Sequence, residues 1–467
     1  MDKIQPTPSN NPAEKPRETY IPFCRADVIE MCLADGPLQG GEKDRFRIFC
    51  RIIKAYYHYH FHTLLERLKD DYAAFGLDSD CRRYIHLPPE TAEQKIDAFF
   101  KDMKQILTKA NFHPLDREQL VRSFRDRSLI DLNIEVDFDM FDRYLCFYRG
   151  TSQATARKRV YRLYHQNVTF TALDRVVLLL RFKDRAYFER RGLKLSELHF
   201  TPGRTYLFYF RNVPKADLEI IFPNVKISMT LKDKILFLVP AVSVGMSSLL
   251  KISTNLILVI GFIIFLVGLR ESAERLGVTQ EVIQHSLIPM IAALASVTLV
   301  LGGFAVGQYL SYKNKWVEFL NDVTQALFFR CIGINAGVFQ CLIDTAEEEE
   351  CKEAILAYYH LLTSGQKLTK EELDRTIEQW FETQFGVSIN FDVEDALKKL
   401  RKIKGKVVFR NQDRDEIGKE CLIEQDEIGK LRVQSLPDSL MILDSIWDNF
   451  FRFNETQTAP PKEPEGE

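Results

Sequence analysis

Three histidines alternate along one predicted helix, and two of them have the spacing of a zinc-binding pair. His58, His60 and His62 lie in the aromatic-rich segment 45–72, which contains no glycine or proline. On a helix, His58 and His62 share a face, whereas His60 points elsewhere. No neighbouring cysteine or carboxylate completes a ligand set, and a partly exposed aromatic face is the simpler interpretation. The sequence therefore offers His58 and His62 as the candidate metal ligands and predicts no cofactor.

A run of glutamates provides the oxygen ligands that divalent cations prefer. The run occupies residues 347–350, with Lys352 and Glu353 close behind. Successive residues of a helix point in different directions, so four carboxylates in a row cannot converge on one ion. We therefore expect a solvated start of a helix, where the helix dipole favours acidic side chains.

Four residues between the predicted strands and an apolar stretch form a candidate functional joint, namely Asn212, Pro214, Asp217 and Glu219. Pro214 is expected to start a short helix, because proline is favoured in the first turn. Asp217 and Glu219 are two residues apart, so they diverge on that helix. The simpler interpretation is that these residues form a structural joint whose apolar neighbours pack together. The functional interpretation is that they couple the predicted strands to the apolar stretch.

Two basic features have the residue types that contact phosphates. Arg149 is followed by Gly150, and Arg149 suits a phosphate or a lipid headgroup, whereas Gly150 suits a turn. A lysine- and arginine-rich run at 398–406 would make the recognition helix of a predicted winged helix basic. Such helices contact bases with their amino end, which is acidic here at 392–395, and the net charge of the chain is −2. We therefore expect no nucleic-acid binding.

Common catalytic signatures are absent from the sequence. It contains no Walker A motif, no GxGxxG, no GxSxG and no HExxH. Its nine cysteines are odd in number and form no CxxC pair, which indicates reduced thiols. We therefore assign no catalytic residue, and the sequence favours a protein that is not an enzyme.

A strongly apolar region interrupts this polar chain. Segments at about 252–270 and 287–310 are long enough to cross a bilayer core of about 30 Å, and 235–250 is an alternative third segment. These patterns predict an integral membrane protein in contact with a lipid bilayer. Two spans place both flanks on one side, and three place them on opposite sides; the flanking lysines favour both termini in the cytoplasm.

The amino terminus lacks the pattern of a secretory signal or a mitochondrial import sequence. The expected location is therefore a bacterial plasma membrane, or a mitochondrial membrane if the source is eukaryotic.

In the rest of the chain, helical periodicity predicts helices, and short runs of β-branched and aromatic residues predict strands. The predicted fold class is an α+β membrane protein with a helical N-terminal region, a small antiparallel β region, a transmembrane helical hairpin and a C-terminal winged-helix-like domain. The wing strands are predicted at 406–410 and 430–434. The predicted divisions are a disordered N-terminus at 1–19, a helical region at 20–130, an α+β region at 131–232, a membrane region at 233–312, amphipathic helices at 313–365, the winged-helix-like domain at 366–453 and a disordered tail at 454–467.

Several motifs in the same order resemble the transmembrane protein 143-like family, a membrane domain of unknown function. The motifs are the segments 212–231, 316–320 and 334–362 and the turn Tyr148-Arg149-Gly150. The resemblance covers about residues 20–453 and implies a membrane-embedded protein with soluble flanks; animal members of the family are associated with mitochondria. It implies no activity and no catalytic residue.

Three functions follow from this organisation as hypotheses. The first is a membrane-anchored adaptor or scaffold that binds a protein partner or forms a homo-oligomer. The alternative is an oligomeric transporter or channel-like protein, although the apolar segments lack the intramembrane acid or base that marks an ion route. The second alternative is a membrane-surface enzyme, which needs polar groups that converge in the α+β N-terminal region.

Overall fold

The computed structural model of the chain describes residues 5–6, 17–77, 88–120, 133–160, 164–228, 327–411 and 414–449, with isolated positions between 264 and 324. Its contacts divide the chain into two units. The larger unit comprises Met1–Val121, Asp139–Lys215 and Cys331–Glu467, and the smaller comprises Arg122–Phe138 and Ala216–Arg330.

The larger unit contains the long helices of the described chain. The helices are α1 (Arg25–Ala34), α2 (Gly41–Tyr72), α3 (Pro89–Lys109), α4 (Arg185–Arg190), α5 (Ala336–Thr363), α6 (Lys370–Phe385), α7 (Val393–Lys402) and α8 (Leu436–Asn449). Helix α5 contacts α1, α2, α3, α6 and α7 and is therefore the centre of this unit.

Helix α5 is central because it has no solvent-exposed face over much of its length. Every residue from 349 to 361 is buried, and a helix that is covered all round belongs to a core. Aromatic rings of α2 pack on it: Phe49 stacks on Tyr358 with centroids 4.0 Å apart, and Phe46 lies 5.6 Å from Tyr359. Such pairs add to the hydrophobic burial that holds the helices together.

An antiparallel sheet completes the larger unit. Its strands are β1 (Gln5–Pro6), β2 (His113–Pro114), β4 (Phe141–Val160), β5 (Tyr164–Phe182), β6 (Thr205–Pro214) and β8 (Cys331–Ile334). The order is β1-β4-β5-β6-β8, with β2 also paired to β4. Alternate side chains of the central strands, such as Phe147, Val177 and Tyr209, join the same hydrophobic core as the helices.

The carboxy-terminal part of the larger unit has two hairpins instead of the predicted single wing. Strand β9 (Lys404–Asn411) pairs with β10 (Arg414–Cys421), and β11 (Ile423–Gln425) pairs with β12 (Leu431–Val433). The segments 406–410 and 430–434 are strands as predicted, within β9 and at β12, but they pair with β10 and β11 instead of forming one two-stranded wing. Strand β10 escaped the pattern because it is mostly charged, whereas strand prediction rests on apolar alternation.

Two helix starts in this part are capped by side chains. The pattern Thr369-x-x-Glu372 predicts a capping box at the start of α6, and the Thr369 side chain does accept a hydrogen bond from the Glu372 backbone nitrogen. Asp392 caps α7 by accepting from the Asp395 backbone nitrogen. Both caps fix where these helices begin.

The smaller unit is described only in part. Strand β3 (Asn133–Val136) pairs with β7 (Val225–Ser228) in antiparallel register. The Phe138 and Phe222 rings meet edge to face at 5.6 Å, and the Asn224 side chain donates a hydrogen bond to the Asp137 carbonyl oxygen at 2.6 Å. A 3-10 helix, Lys215–Ile221, begins at the last residue of the larger unit.

The prediction of a membrane protein is wrong, because no helix of the described chain is both long enough and apolar enough to span a bilayer. The two longest described helices, α2 and α5, carry several charged residues each and pack in the core of the larger unit. The predicted membrane class and membrane location are corrected accordingly. The segments on which they rested, 252–270, 287–310 and 235–250, lie outside the described residues apart from isolated positions.

Candidate functional site

Three arginines lie side by side across three neighbouring strands, and we call them the arginine row. Arg149 of β4 is directly opposite Arg175 of β5, and Arg175 is directly opposite Arg211 of β6. Residues in direct register on antiparallel strands point to the same face, with Cβ atoms about 5 Å apart. Like charges so placed repel each other, so the row is unfavourable unless negative charge lies against it.

The arginine row lines a cleft of about 560 Å³, which we call the arginine cleft. The other walls come from the segment 20–24, from Asp174 and Asn212 on the strands, and from one turn after another of α5. The α5 residues of the wall are Thr345, Glu348, Glu349 and Lys352. The cleft therefore lies wholly within the larger unit, between its sheet and its central helix.

The Arg149 side chain is held from several directions. Its guanidinium carbon lies 4.5 Å from the centroid of the Tyr20 ring and 5.7 Å from that of Phe112. Its Nη1 donates a hydrogen bond to the Ala110 carbonyl oxygen at 3.1 Å and lies 3.6 Å from Glu349 Oε1. Aromatic faces and a carbonyl thus fix a planar donor group before a ligand arrives. Such preorganisation lowers the entropic cost of binding.

Lys352 and Glu349 join the segment 20–24 to α5. Lys352 Nζ donates to the carbonyl oxygens of Ile21 and Phe23 at 2.8 and 3.0 Å, and to Glu349 Oε1 at 2.8 Å. Glu349 Oε2 accepts a hydrogen bond from the Ile21 backbone nitrogen at 3.3 Å. These bonds make the extended segment a fixed wall of the cleft.

Gly150 lies in a strand that borders the cleft, not in the turn that the sequence suggests. It lies inside β4 with a φ of +73°, and a Cβ there would come within 2.5 Å of Asp174 Oδ2. Only glycine fits both the conformation and the space. Asp174 accepts a hydrogen bond from the Ser152 hydroxyl at 2.6 Å. Burial, and then the Asp174 carboxylate, raise the pKa of the Glu18 carboxyl.

The acidic run 347–350 is not the solvated helix start that the sequence predicts. It lies in the middle of α5, and Glu349 and Glu353 are only 1% and 3% exposed. Side chains from segments distant in sequence pair with most of these carboxylates, and such partners cannot be read from a local pattern. The pairs are Glu347 with Arg25 and His58, Glu349 with Lys352 and Arg149, Glu350 with Lys109 and Lys399, and Glu353 with Lys399.

One lysine of α7 serves three of the surrounding carboxylates. Burial alone would lower the pKa of the Lys399 ammonium, but Glu353, Glu350 and Asp395 together raise it. One ammonium cannot neutralise three carboxylates. Burial, opposed by Lys399 and then by Asn111, raises the pKa of Glu353 to about 7. We call Glu350, Glu353 and Lys399 the buried charge cluster.

Residues 173–337 match a family described as "Protein of unknown function (DUF3754)". No solved structure matches the chain. The matched segment includes Arg175, Arg211 and Asn212 of the arginine cleft and ends before Glu349. The resemblance to the transmembrane protein 143-like family stays a prediction.

The candidate metal ligands His58 and His62 do share a helix face. Their rings lie 6.2 Å apart, but His58 Nδ1 lies 3.0 Å from Glu347 Oε2. In the part of the chain that the structure describes, no three His, Cys, Asp or Glu residues are arranged to hold a metal ion. His60 points elsewhere, into a second cleft of about 490 Å³ between α2 and α7. Burial and then Lys109 lower the pKa of His60.

The candidate joint is divided by the structure. Asn212, in a left-handed conformation with φ of +50°, lies in β6 and lines the arginine cleft. Pro214 ends β6 instead of starting the helix, which begins one residue later at Lys215. Asp217 and Glu219 are both buried within the smaller unit. Burial, and then Asp217, raise the pKa of Glu219 to about 7.

The basic run 398–406 is engaged by the protein itself over much of its length. Lys399 is buried and pairs with three carboxylates, and Lys398 lies 3.8 Å from Glu394. Arg401 donates a hydrogen bond to the Gln425 side chain at 2.6 Å. Helix α7 thus uses its basic residues largely for internal contacts.

Sequence inspection found Arg149 but missed Arg175 and Arg211, which complete the row. Each of the two lies beside an apolar strand run, at 176–180 and 205–210. Their common signal is a charge at the edge of a buried strand. Only the register of the strands, which a single sequence does not contain, places the three arginines together.

Proposed function

We propose that the chain is an adaptor, a binding protein whose arginine cleft receives an anionic group of a partner protein. The observation that carries this proposal is the arginine row, in which Arg149, Arg175 and Arg211 are directly opposed on adjacent strands. Proteins seldom keep such repulsion in a folded state without a use for it, and clusters of arginine are the usual means of recognising acidic or phosphorylated motifs.

The cleft also supplies the converging polar groups that the enzyme alternative requires. We prefer binding, because the carboxylates of the cleft already accept hydrogen bonds from the protein. Ser152 donates to Asp174, Lys352 donates to Glu349, and the Arg25 backbone nitrogen donates to Glu348 at 2.8 Å. A general base must instead be able to accept a proton from the substrate.

The test is affinity purification of the full chain from its native cells, followed by native mass spectrometry. Wild type is compared with the double variant Arg175→Gln, Arg211→Gln and with the control Arg190→Gln, which changes an exposed arginine of α4. We expect a stoichiometric protein partner that wild type and the control retain and the double variant loses at least tenfold. Circular dichroism melting checks that all three proteins are folded. A partner retained by the double variant, or no partner for wild type, would overturn the proposal.

A further inference from the structure

We propose that one edge of the sheet joins two copies of this chain by antiparallel strand pairing. The edge belongs to the ribbon in which β4 and β5 extend beyond β6. It is the segment 164–171 of β5, which we call the β5 edge. This inference goes beyond the proposed function, because no residue of the β5 edge lines the arginine cleft.

The β5 edge is available because β6 stops short of it. Strand β5 runs from Tyr164 to Phe182, but its pairing with β6 begins only at Ala172, opposite Pro214. Pro214 is the last residue of β6, and proline has no N–H with which to extend the ladder. Among the described strands, none continues along β5 on that side. The segment 164–171 therefore offers an edge about 26 Å long, at about 3.3 Å per residue, to which a further strand can pair.

The other edges of this sheet, as far as the structure describes them, are short, covered or charged. Strand β8, at the far end of the sheet, has only four residues. The outer edge of β4 is covered by β2 at 147–148 and by β1 at 154–155. Three basic residues, 157–159, follow on β4. Short edges, covered edges and edge charges are the features by which proteins prevent unwanted strand pairing.

The β5 edge has a sequence that permits such pairing. The segment 164–173, YHQNVTFTAL, contains no Lys, Arg, Asp, Glu, Pro or Gly, in a chain of which 27% is charged. Its β-branched and aromatic residues favour strands. An uncharged strand can lie beside an identical strand without opposing like charges, whereas the basic run 157–159 of β4 would repel its own copy. The composition therefore suits pairing of the β5 edge with itself.

The number of strands in the ribbon also favours a second copy as the occupant. Beyond residue 155 of β4, the described ribbon consists of β4 and β5 alone. A two-stranded ribbon is marginally stable in water, and three or more strands are needed for independent stability. Pairing of two β5 edges gives the strand order β4-β5-β5-β4. Each copy thus supplies the strands that the ribbon of the other lacks.

Two-fold symmetry limits the register of this dimer. Directly opposed residues lie on the same face of a sheet, so a residue on the axis must be opposite itself. The two longest pairings within 164–171 are therefore centred on Asn167 or on Val168. The Asn167 and Thr169 side chains are exposed and lie on one face of β5. Asn167 faces either itself or Thr169 of the second copy, so like charges at both positions repel in either register.

Size-exclusion chromatography with light scattering, over a hundredfold range of concentration of the full chain, measures the dissociation constant of the dimer. The acidic variant is Asn167→Glu, Thr169→Glu, and the basic variant is Asn167→Lys, Thr169→Lys. The control is Gln153→Glu, at an exposed position of β4 in the same ribbon. We expect wild type and control to dimerise alike, and each double variant to dimerise at least tenfold more weakly. An equimolar mixture of the two double variants should restore a dimer to within threefold of wild type, because opposite charges then face each other.

Each outcome decides for or against the β5 edge. Circular dichroism melting checks that the variants are folded, and native mass spectrometry identifies the acidic–basic heterodimer. A wild type that stays monomeric contradicts the proposal and leaves the edge to a strand of a different protein. A double variant that dimerises as tightly as wild type places the dimer on another surface, and the proposal is wrong. It is also wrong if the mixture stays monomeric. None of these results bears on the arginine cleft.

Discussion

The buried charge cluster and the arginine row both concentrate charge in the larger unit, but the cluster pairs opposite charges and the row places like charges side by side. In the cluster, Glu350 and Glu353 meet Lys399 within hydrogen-bonding or ion-pairing distance, away from water. In the row, arginine faces arginine. The first arrangement stabilises only this fold, because its partners are internal. The second sets like charges side by side on the wall of a cleft, so we take opposed like charges as the better indicator of a binding site.

The largest expected effect comes from removing the cation of the buried charge cluster. Lys399→Met leaves Glu350 and Glu353 buried without their shared partner, and breaking a buried pair in this way costs about 3–5 kcal/mol. Urea denaturation at pH 7.5 measures the loss in the free energy of unfolding. Lys398→Met is the control, since Lys398 is exposed and its ion pair with Glu394 at 3.8 Å contributes little. If both variants lost the same free energy of unfolding, the buried charge cluster would be no more important for stability than a surface ion pair.

The pH dependence of stability is a second test of the buried charge cluster. The folded state raises the pKa of Glu353 from 4.5 to about 7, so it binds the proton more tightly than the unfolded state. The contribution of this group to stability therefore falls as the pH rises from 4.5 to 7. Glu353→Gln should abolish that fall, which amounts to about 3 kcal/mol by linkage. Urea midpoints at pH 5 and pH 7.5 test this, and parallel pH profiles for variant and wild type would contradict it.

A histidine further along α5 titrates in the opposite sense. Burial, opposed by Asp35, lowers the pKa of His360 from 6.5 to about 4. The unfolded state then binds the proton more tightly, so stability is lost as the pH falls from 6.5 to 4. His360→Phe should reduce this acid-side loss by about 2–3 kcal/mol. Thermal melting between pH 4 and pH 7 measures it. A wild-type acid slope retained by the variant would show that another group causes the loss.

The smallest effect has the opposite sign and tests the arginine row. Arg175→Gln removes the middle charge and keeps a polar side chain beside Tyr209, which Arg175 hydrogen-bonds. Without ligand, the free energy of unfolding should stay unchanged or rise by up to about 1 kcal/mol. Arg181→Gln, on the same strand, should lower it by up to about 1 kcal/mol, because Arg181 pairs with Glu93 and Asp142. If both variants lose stability equally, the row is structural and the comparison fails.

The sequence predicted secondary-structure elements better than it predicted tertiary contacts. The aromatic pattern at 45–72 corresponds to α2, and the capping pattern at Thr369 corresponds to the start of α6. These signals are local, because hydrophobic period and end caps act over a few residues. The acidic run 347–350 was predicted to be solvated because its partners are not local: Arg25 lies 322 residues from Glu347, and Lys399 lies on α7, beyond α6.

The arginine cleft shows the same limit at the level of the site. Arg149 was a candidate from its residue type, but Arg175 and Arg211 become its neighbours only through strand register. A shift of one residue in either strand pair would carry them to the other face. The opposite walls, from segment 20–24 and from α5, meet the row only in the folded larger unit.

The central position of α5 also determines the order in which this protein can fold. Helix α2 ends at Tyr72, whereas α5 begins at Ala336, so α1, α2 and α3, which pack on α5, are made long before it, and α6 and α7 follow it. At about 5–20 residues per second, a ribosome needs roughly 10–50 s to reach α5 after it has completed α2. During that interval the apolar faces of α1, α2 and α3 lack their main partner. The larger unit therefore completes its core late, and we expect its nascent chain to expose apolar surface that favours aggregation until α5 has been made.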